Sequence, residues 1–243
     1  MQSNNPILTR VETYADYHKP MTVRGAINKS VLLTSISAGV GILFFLYCLL
    51  TQNFNMAMMG SVVGGIGGFI LAMIITFKPN TAPNLAVPYA LFEGAFLGGV
   101  SVLFELKYPG APIKALLATF ITMFVMLALY KRKIIRATEK FKSVVMSATL
   151  AIFILFIAQF ILKMVFGSSI PYVFESNGLG IGVAVFVAVI ASLNLILDFD
   201  LIENAAMQRA PQSFEWICAV SLLATLIWMY TSFLRLIGLS SND

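Results

Sequence analysis

Charge is what this chain has least of. Asp, Glu, Lys and Arg make up 11% of its 243 residues, against 59% hydrophobic. Soluble domains carry roughly a quarter charged residues, so a water-facing surface cannot be covered from this supply. With a mean hydropathy of +0.88, the chain reads as an integral membrane protein surrounded by lipid. Histidine is almost absent: the single His18 excludes any site built on two imidazoles, a histidine zinc centre included. Cysteine is nearly as scarce. Cys48 and Cys218 lie 170 residues apart in apolar runs, so no CxxC motif, disulfide framework or dedicated metal site is expected. The net charge of +5 comes from basic residues clustered between apolar stretches. Membrane topology accounts for them without nucleic acid as a partner.

What is present in quantity is long apolar sequence. A helix crossing about 30 Å of hydrocarbon needs roughly 20 apolar residues. Seven stretches qualify, at about 29–51, 57–77, 84–106, 112–131, 142–166, 178–200 and 214–238. Between them lie Thr51-Gln52-Asn53, Lys78-Pro79-Asn80, Tyr108-Pro109-Gly110, the basic run from Lys131, the 168–171 stretch, and 203–213 with Asn204, Arg209 and Pro211. These are loop residues. Unbroken apolarity at these lengths fits helices rather than the alternating strands of a barrel. The expectation is an all-α, polytopic seven-helix bundle. Residues 1–28 would form a cytoplasmic N-terminal segment, 29–238 a single transmembrane domain, and 239–243 a short tail. The last one or two stretches are alternatively re-entrant. The polar first 28 residues contain no apolar signal core, so the first span is expected to act as an uncleaved signal. Alternating the spans puts twelve of the 16 basic residues on one side, which sets the N-terminus inside.

Glycines recur four apart as Gly60, Gly64 and Gly68, and again as Gly94 and Gly98. That spacing gathers small residues on one helix face and suits close helix packing. Gly178-Leu179-Gly180-Ile181-Gly182 has no preceding strand to make it a dinucleotide fingerprint and is read as packing too. Acidic residues within spans are costly and need a reason to be there. Glu93 stands mid-span in Leu91-Phe92-Glu93-Gly94, either as an ion or proton ligand or as an interhelical hydrogen-bonding group. Asp198 and Asp200 end the sixth span in Leu197-Asp198-Phe199-Asp200. On a helix they point about 200° apart, so at most one can face a given cavity, whereas Asp200 and Glu203 share a face. Glu215 opens the last span beside Trp216, as an interfacial acid or as part of one acidic mouth with Asp198. Lys163 and Arg235 lie near span ends and are expected to snorkel. The basic loop from Lys131 is topogenic and suited to anionic lipid. No span holds a histidine base, no second intramembrane aspartate faces Asp198, and no phosphate loop or GxSxG occurs. The chain is not read as an enzyme.

Four segments resemble the Bax inhibitor family of transmembrane proteins, in a bacterial branch. They are Asn5-Pro6 with Met21-Thr22-Val23-Arg24-Gly25-Ala26-Ile27-Asn28-Lys29, Tyr89-Ala90-Leu91-Phe92-Glu93-Gly94-Ala95-Phe96-Leu97-Gly98, Leu197-Asp198-Phe199-Asp200, and 219–235. The resemblance implies a seven-helix bundle with the last helix central. It also implies a calcium or cation leak controlled by pH through two aspartates. One maps onto Asp198; the other falls at Thr225, which cannot ionise. The second-helix arginine of some members has no counterpart in 57–77. The absence of a basic C-terminal tail points to a bacterial cytoplasmic membrane.

The functional expectation is a pH-sensitive calcium or cation leak. Asp198, Glu93, Asp200 and Glu215 are candidates for ion path or pH sensor, and Ca2+ would be a transient ligand held by oxygens. The alternative is a non-transporting regulator that binds other membrane proteins.

Overall fold

A computed structural model describes residues 20–167 and 177–241. The Asn5-Pro6 motif, His18 and the 168–171 separator lie outside the described residues. Among the described residues, seven α-helices carry the fold: α1 (Val23–Leu50), α2 (Phe54–Phe77), α3 (Ala82–Lys107), α4 (Ala111–Lys131), α5 (Glu139–Phe166), α6 (Gly178–Met207) and α7 (Phe214–Ser240). All are long and apolar enough to cross a membrane; the shortest, α4 at 21 residues, spans roughly 31 Å at 1.5 Å per residue. The protein is an all-α membrane bundle. Its last helix runs unbroken for 27 residues.

The helix starts follow local chemistry. Thr22, Asn53, Thr138 and Asn177 each accept a backbone N–H three residues on, at 2.8 to 3.3 Å, satisfying one of the otherwise orphaned first-turn donors. Prolines occupy the first turns of α3 and α4, where no intrahelical N–H is needed. Gly110 precedes α4 at φ +80°, a conformation that penalises a Cβ.

α7 is the most buried helix and packs against α1, α3, α4 and α6. α3 lies against α1, α2 and α7. Leu33, Tyr89, Ala219, Leu223 and Ile227 form one core on this side, and Met126, Leu195, Ile196, Leu226 and Met229 another. α5 is the least buried span, packed extensively only on α6. Large apolar side chains such as Met58, Val62, Ile66 and Phe69 on α2 point outward, toward where lipid would lie.

Contacts place the start of α1, the end of α4, the start of α5, the end of α6 and the start of α7 together. Lys29 meets Glu215, Tyr130 meets Glu203 and Lys142 meets Asp200. This is the basic end. At the other end, Cys48, Ala57 and Val102 cluster.

One boundary differs from the sequence expectation with consequences for the site. α6 continues seven residues past 200, to Met207, because Ile202 and Ala205 are buried against Met21 and Cys218. Asp198 therefore does not end its span; it stands nine residues inside the helix end, roughly 13 Å along the axis.

Candidate functional site

Asp198 faces inward from α6 onto α7 and is 6% exposed. The Ser221 hydroxyl donates to its Oδ1 at 2.6 Å, and the Thr225 side chain, one turn further along α7, lies beside the same carboxyl. Oδ2 is buried with no hydrogen-bond partner among the described residues. Ser221 and Thr225 share a helix face because they are four apart. The result is a cluster of oxygen atoms where α6 meets α7, the most buried helix: two hydroxyls and a carboxylate, one of whose oxygens is unused among the described residues. Such a set is suited to a proton or to a hard cation in transit, and too sparse to hold one permanently, since calcium takes six to eight oxygens. Cys218, buried one turn below, lies within electrostatic reach of both Asp198 and Glu215.

Glu215 is a different kind of acid. Its carboxylate is almost fully buried and takes Lys29 Nζ at 2.6 Å, the Thr22 backbone N–H at 2.9 Å and the Thr22 hydroxyl at 3.4 Å. Lys29 also sits 5.0 Å from the Trp216 ring centroid, within cation–π range. A Cβ on Gly25 would meet the Glu215 carboxylate at 2.2 Å, so glycine there makes the room. Beside this clasp, Met21 N–H bonds Ala210 carbonyl at 2.8 Å, and Pro20 pairs with Pro211. Glu215 thus ties the start of α1 to the α6–α7 turn, with both charges of the pair engaged.

Asp200 points away from Asp198, as the 200° separation requires. It accepts from Lys142 at 2.9 Å and from Asn204 at 2.7 Å. Glu203 accepts from the Tyr130 hydroxyl at 2.5 Å. Both acids line an open cleft of about 500 Å³ beneath the loop carrying Lys131, Lys133 and Arg136. Asp198, Asp200 and Glu215 therefore occupy three separate settings at the basic end rather than one shared mouth.

Glu93 sits elsewhere, on the α2–α3 contact and 9% exposed. The Tyr89 side chain lies beside its carboxyl, and a Cβ on Gly68 would meet Oε1 at 2.6 Å. The other grouped glycines occupy the same kind of approach. A methyl on Gly60 would strike Phe44, on Gly64 the Phe96 backbone, on Gly94 the Ser37 carbonyl and on Gly98 the Gly41 carbonyl, all within 2.7 Å. Gly178 and Gly182 differ: a Cβ at either meets nothing within 4 Å among the described residues, whereas Gly180 between them is buried. Arg235 departs from the snorkelling expectation. Its guanidinium is 5.8 Å from the Phe156 ring centroid, with Nη1 buried, while Lys163 is exposed.

Several partners were not singled out in the sequence. Ser221, Thr22, Lys29, Tyr89, Tyr130 and Lys142 complete the acid settings. Only the four-residue spacing of Ser221 and Thr225 within an apolar helix gave a readable signal; the others depend on tertiary placement.

A family model described as Bax inhibitor 1 like matches residues 5–242, nearly the whole chain. None of the curated proteins matches it.

Proposed function

The chain belongs to the Bax inhibitor 1 like family, and from that premise we propose that it is a pH-sensitive leak for calcium or another cation, with Asp198 as the titrating group. The observation that carries this is the Asp198 setting: a buried carboxylate with Ser221 and Thr225 around it and Oδ2 unused. An acceptor buried without a partner among the described residues is costly in an apolar bundle, and passage of a cation or proton gives it a role. Loss of the charge by protonation lowers cation occupancy, which couples passage to pH. Glu215 holds its helices together through Lys29, and Glu93 steadies the α2–α3 contact. The leak would lie in a bacterial cytoplasmic membrane, its basic end and N-terminus facing the cytoplasm.

Calcium flux into proteoliposomes, measured for wild type and D198N at about pH 6 and about pH 8, tests this. Flux that responds to pH in wild type and loses the response in the variant is the expected result. An unaltered pH response in D198N moves the sensor away from Asp198. No flux from folded protein removes the leak. A second reading, a regulator that binds other membrane proteins without transport, is favoured by one observation: Thr225, where the family resemblance places a second aspartate, cannot share a proton with Asp198. Retention of a cellular phenotype by an E93Q/D198N variant that has lost flux would support it.

A further inference from the structure

Three cations that pair with no carboxylate among the described residues meet at one cleft. It is the open cavity of about 500 Å³ between the α4–α5 loop and the end of α6, a volume within the roughly 300–1,000 Å³ of small-ligand pockets. Lys131, Lys133 and Arg136 line it from the end of α4 and the loop, Asp200 and Glu203 from α6. The acids are already engaged: Lys142 and Asn204 hold Asp200, and the Tyr130 hydroxyl holds Glu203. Arg136 donates its Nε–H to the Lys133 carbonyl at 3.4 Å, which keeps the rest of its planar fork of donors for a ligand.

The loop spends stability to present one of these side chains. α4 closes with the Lys133 and Ile134 N–H groups on the Tyr130 and Leu129 carbonyls, at 2.9 and 3.0 Å. Glycine is the usual residue at the left-handed position of this closure. Here Lys133 occupies it at φ +56°, a conformation that penalises a Cβ. Glycine would serve the turn better, so the lysine side chain has a use of its own. The cleft also reaches the start of α5. Thr138 lines it and caps that 28-residue helix, whose positive end favours an anion. Uncompensated cations and a helix start around one concavity are the complement of a compact, multiply charged anion, and phosphate takes several such charged donors at once. The carboxylates on the α6 wall argue for a small solute over a broad anionic surface, which would face Glu203 as well as the cations.

We propose that this cleft binds a phosphate-bearing solute, its phosphate groups on Lys131, Lys133 and Arg136. The site stands apart from Asp198 and from cation passage. Calorimetric titration of inorganic pyrophosphate into the full-length protein in phosphatidylcholine nanodiscs tests it. Wild type should bind one pyrophosphate per chain. K133G and R136Q should each bind about two- to fivefold more weakly, the range of an exposed ion pair. E203Q should bind more tightly, because a like charge leaves the cleft. K133G should also keep or raise the thermal midpoint while its affinity falls, since glycine suits the left-handed position; a lysine with no ligand would change the midpoint alone. K114Q, at the opposite end of α4, should bind as wild type does. Absence of saturable binding by wild type overturns the site, and so does an affinity that K133G and R136Q leave unchanged. Equal weakening by K114Q would show unspecific attraction to a basic protein and overturn it too. Loss of pyrophosphate binding when the discs contain phosphatidylglycerol would put a lipid phosphate in the cleft and overturn the solute. If R136Q does not fold, K133G, E203Q and K114Q decide.

Discussion

Replacing Lys29 with methionine should unlatch the basic end, and the structure allows the size of the effect to be worked out. The Glu215 carboxylate is 3% exposed and its Lys29 partner 19%. Removing one partner of a buried pair costs about 3–5 kcal/mol, mostly as the penalty on the charge left behind. Partial exposure of Lys29 screens some of this, so about 2–3 kcal/mol remains for K29M. The reverse change is milder. In E215Q the stranded group is an ammonium with a route to water, the Gln212 carbonyl at 3.4 Å and the Trp216 ring nearby, which puts the loss at about 1 kcal/mol. K29M/E215Q, with no orphaned charge, should recover part of the K29M loss. Cys218 reports on the clasp because it is buried in the cluster that also contains Met21, Ala26 and Ile202. With Cys48 replaced by alanine, maleimide labelling of Cys218 requires that cluster to open. A loss of 2–3 kcal/mol corresponds to labelling about 30- to 150-fold faster in K29M, at about tenfold per 1.36 kcal/mol. The reasoning fails if K29M labels no faster than wild type, or no faster than E215Q.

Three further outcomes follow from single contacts. S221A removes the hydroxyl on Asp198 Oδ1 and should cost about 1–3 kcal/mol in denaturant titration, because a buried acceptor loses its donor; an unchanged midpoint would show that Asp198 is not held there. G64A drives a Cβ to 2.5 Å from the Phe96 backbone nitrogen, and overpacking of about 1–3 kcal/mol should outweigh the gain in helix propensity of about 1 kcal/mol. G39A meets nothing within 4 Å among the described residues and should be neutral or stabilising, so a thermal melt that ranks the two variants the other way contradicts the packing. T225D puts a second carboxylate beside Asp198; the two should titrate as a pair and make calcium flux in proteoliposomes depend on pH differently from wild type, whereas an identical profile would separate Thr225 from the path.

The spans were legible because lipid imposes one simple rule, roughly 20 apolar residues per crossing, and the chain obeys it seven times. What the rule does not set is where a helix stops once tertiary contacts support it. The charges at Asp198 and Asp200 mark the end of continuous apolarity, yet α6 runs on to Met207 because Ile202 and Ala205 are buried under Met21. α1 likewise starts at Val23, ahead of its apolar stretch, where Thr22 caps it. Gly178 and Gly182 show the converse. Their spacing resembles that of the α2 glycines, but spacing records only a shared face, and among the described residues nothing packs on theirs.

The acids could be found in the sequence but not sorted there. Helical geometry separated Asp198 from Asp200 and left open which one turned inward. The choice comes from the partners: Lys142, at the start of α5, claims Asp200, whereas α7 offers Asp198 only hydroxyls. Glu215 was indistinguishable from Asp198 as a site candidate until Lys29, 186 residues away, proved to neutralise it. This difference bears on function more than burial does. A carboxylate with a lysine 2.6 Å away is already compensated, and a cation arriving there must displace the lysine. A carboxylate facing Ser221 and Thr225 has no fixed countercharge among these partners. Thr225 then acquires a physical meaning: it leaves a single carboxylate among neutral oxygens, where an aspartate would have made a pair. A single acid titrates in one step, whereas a coupled pair titrates in two separated steps spread over a wider pH range. If calcium passes here, its pH response should fit one proton at Asp198, and a profile requiring two coupled protons would mean that another acid joins the path.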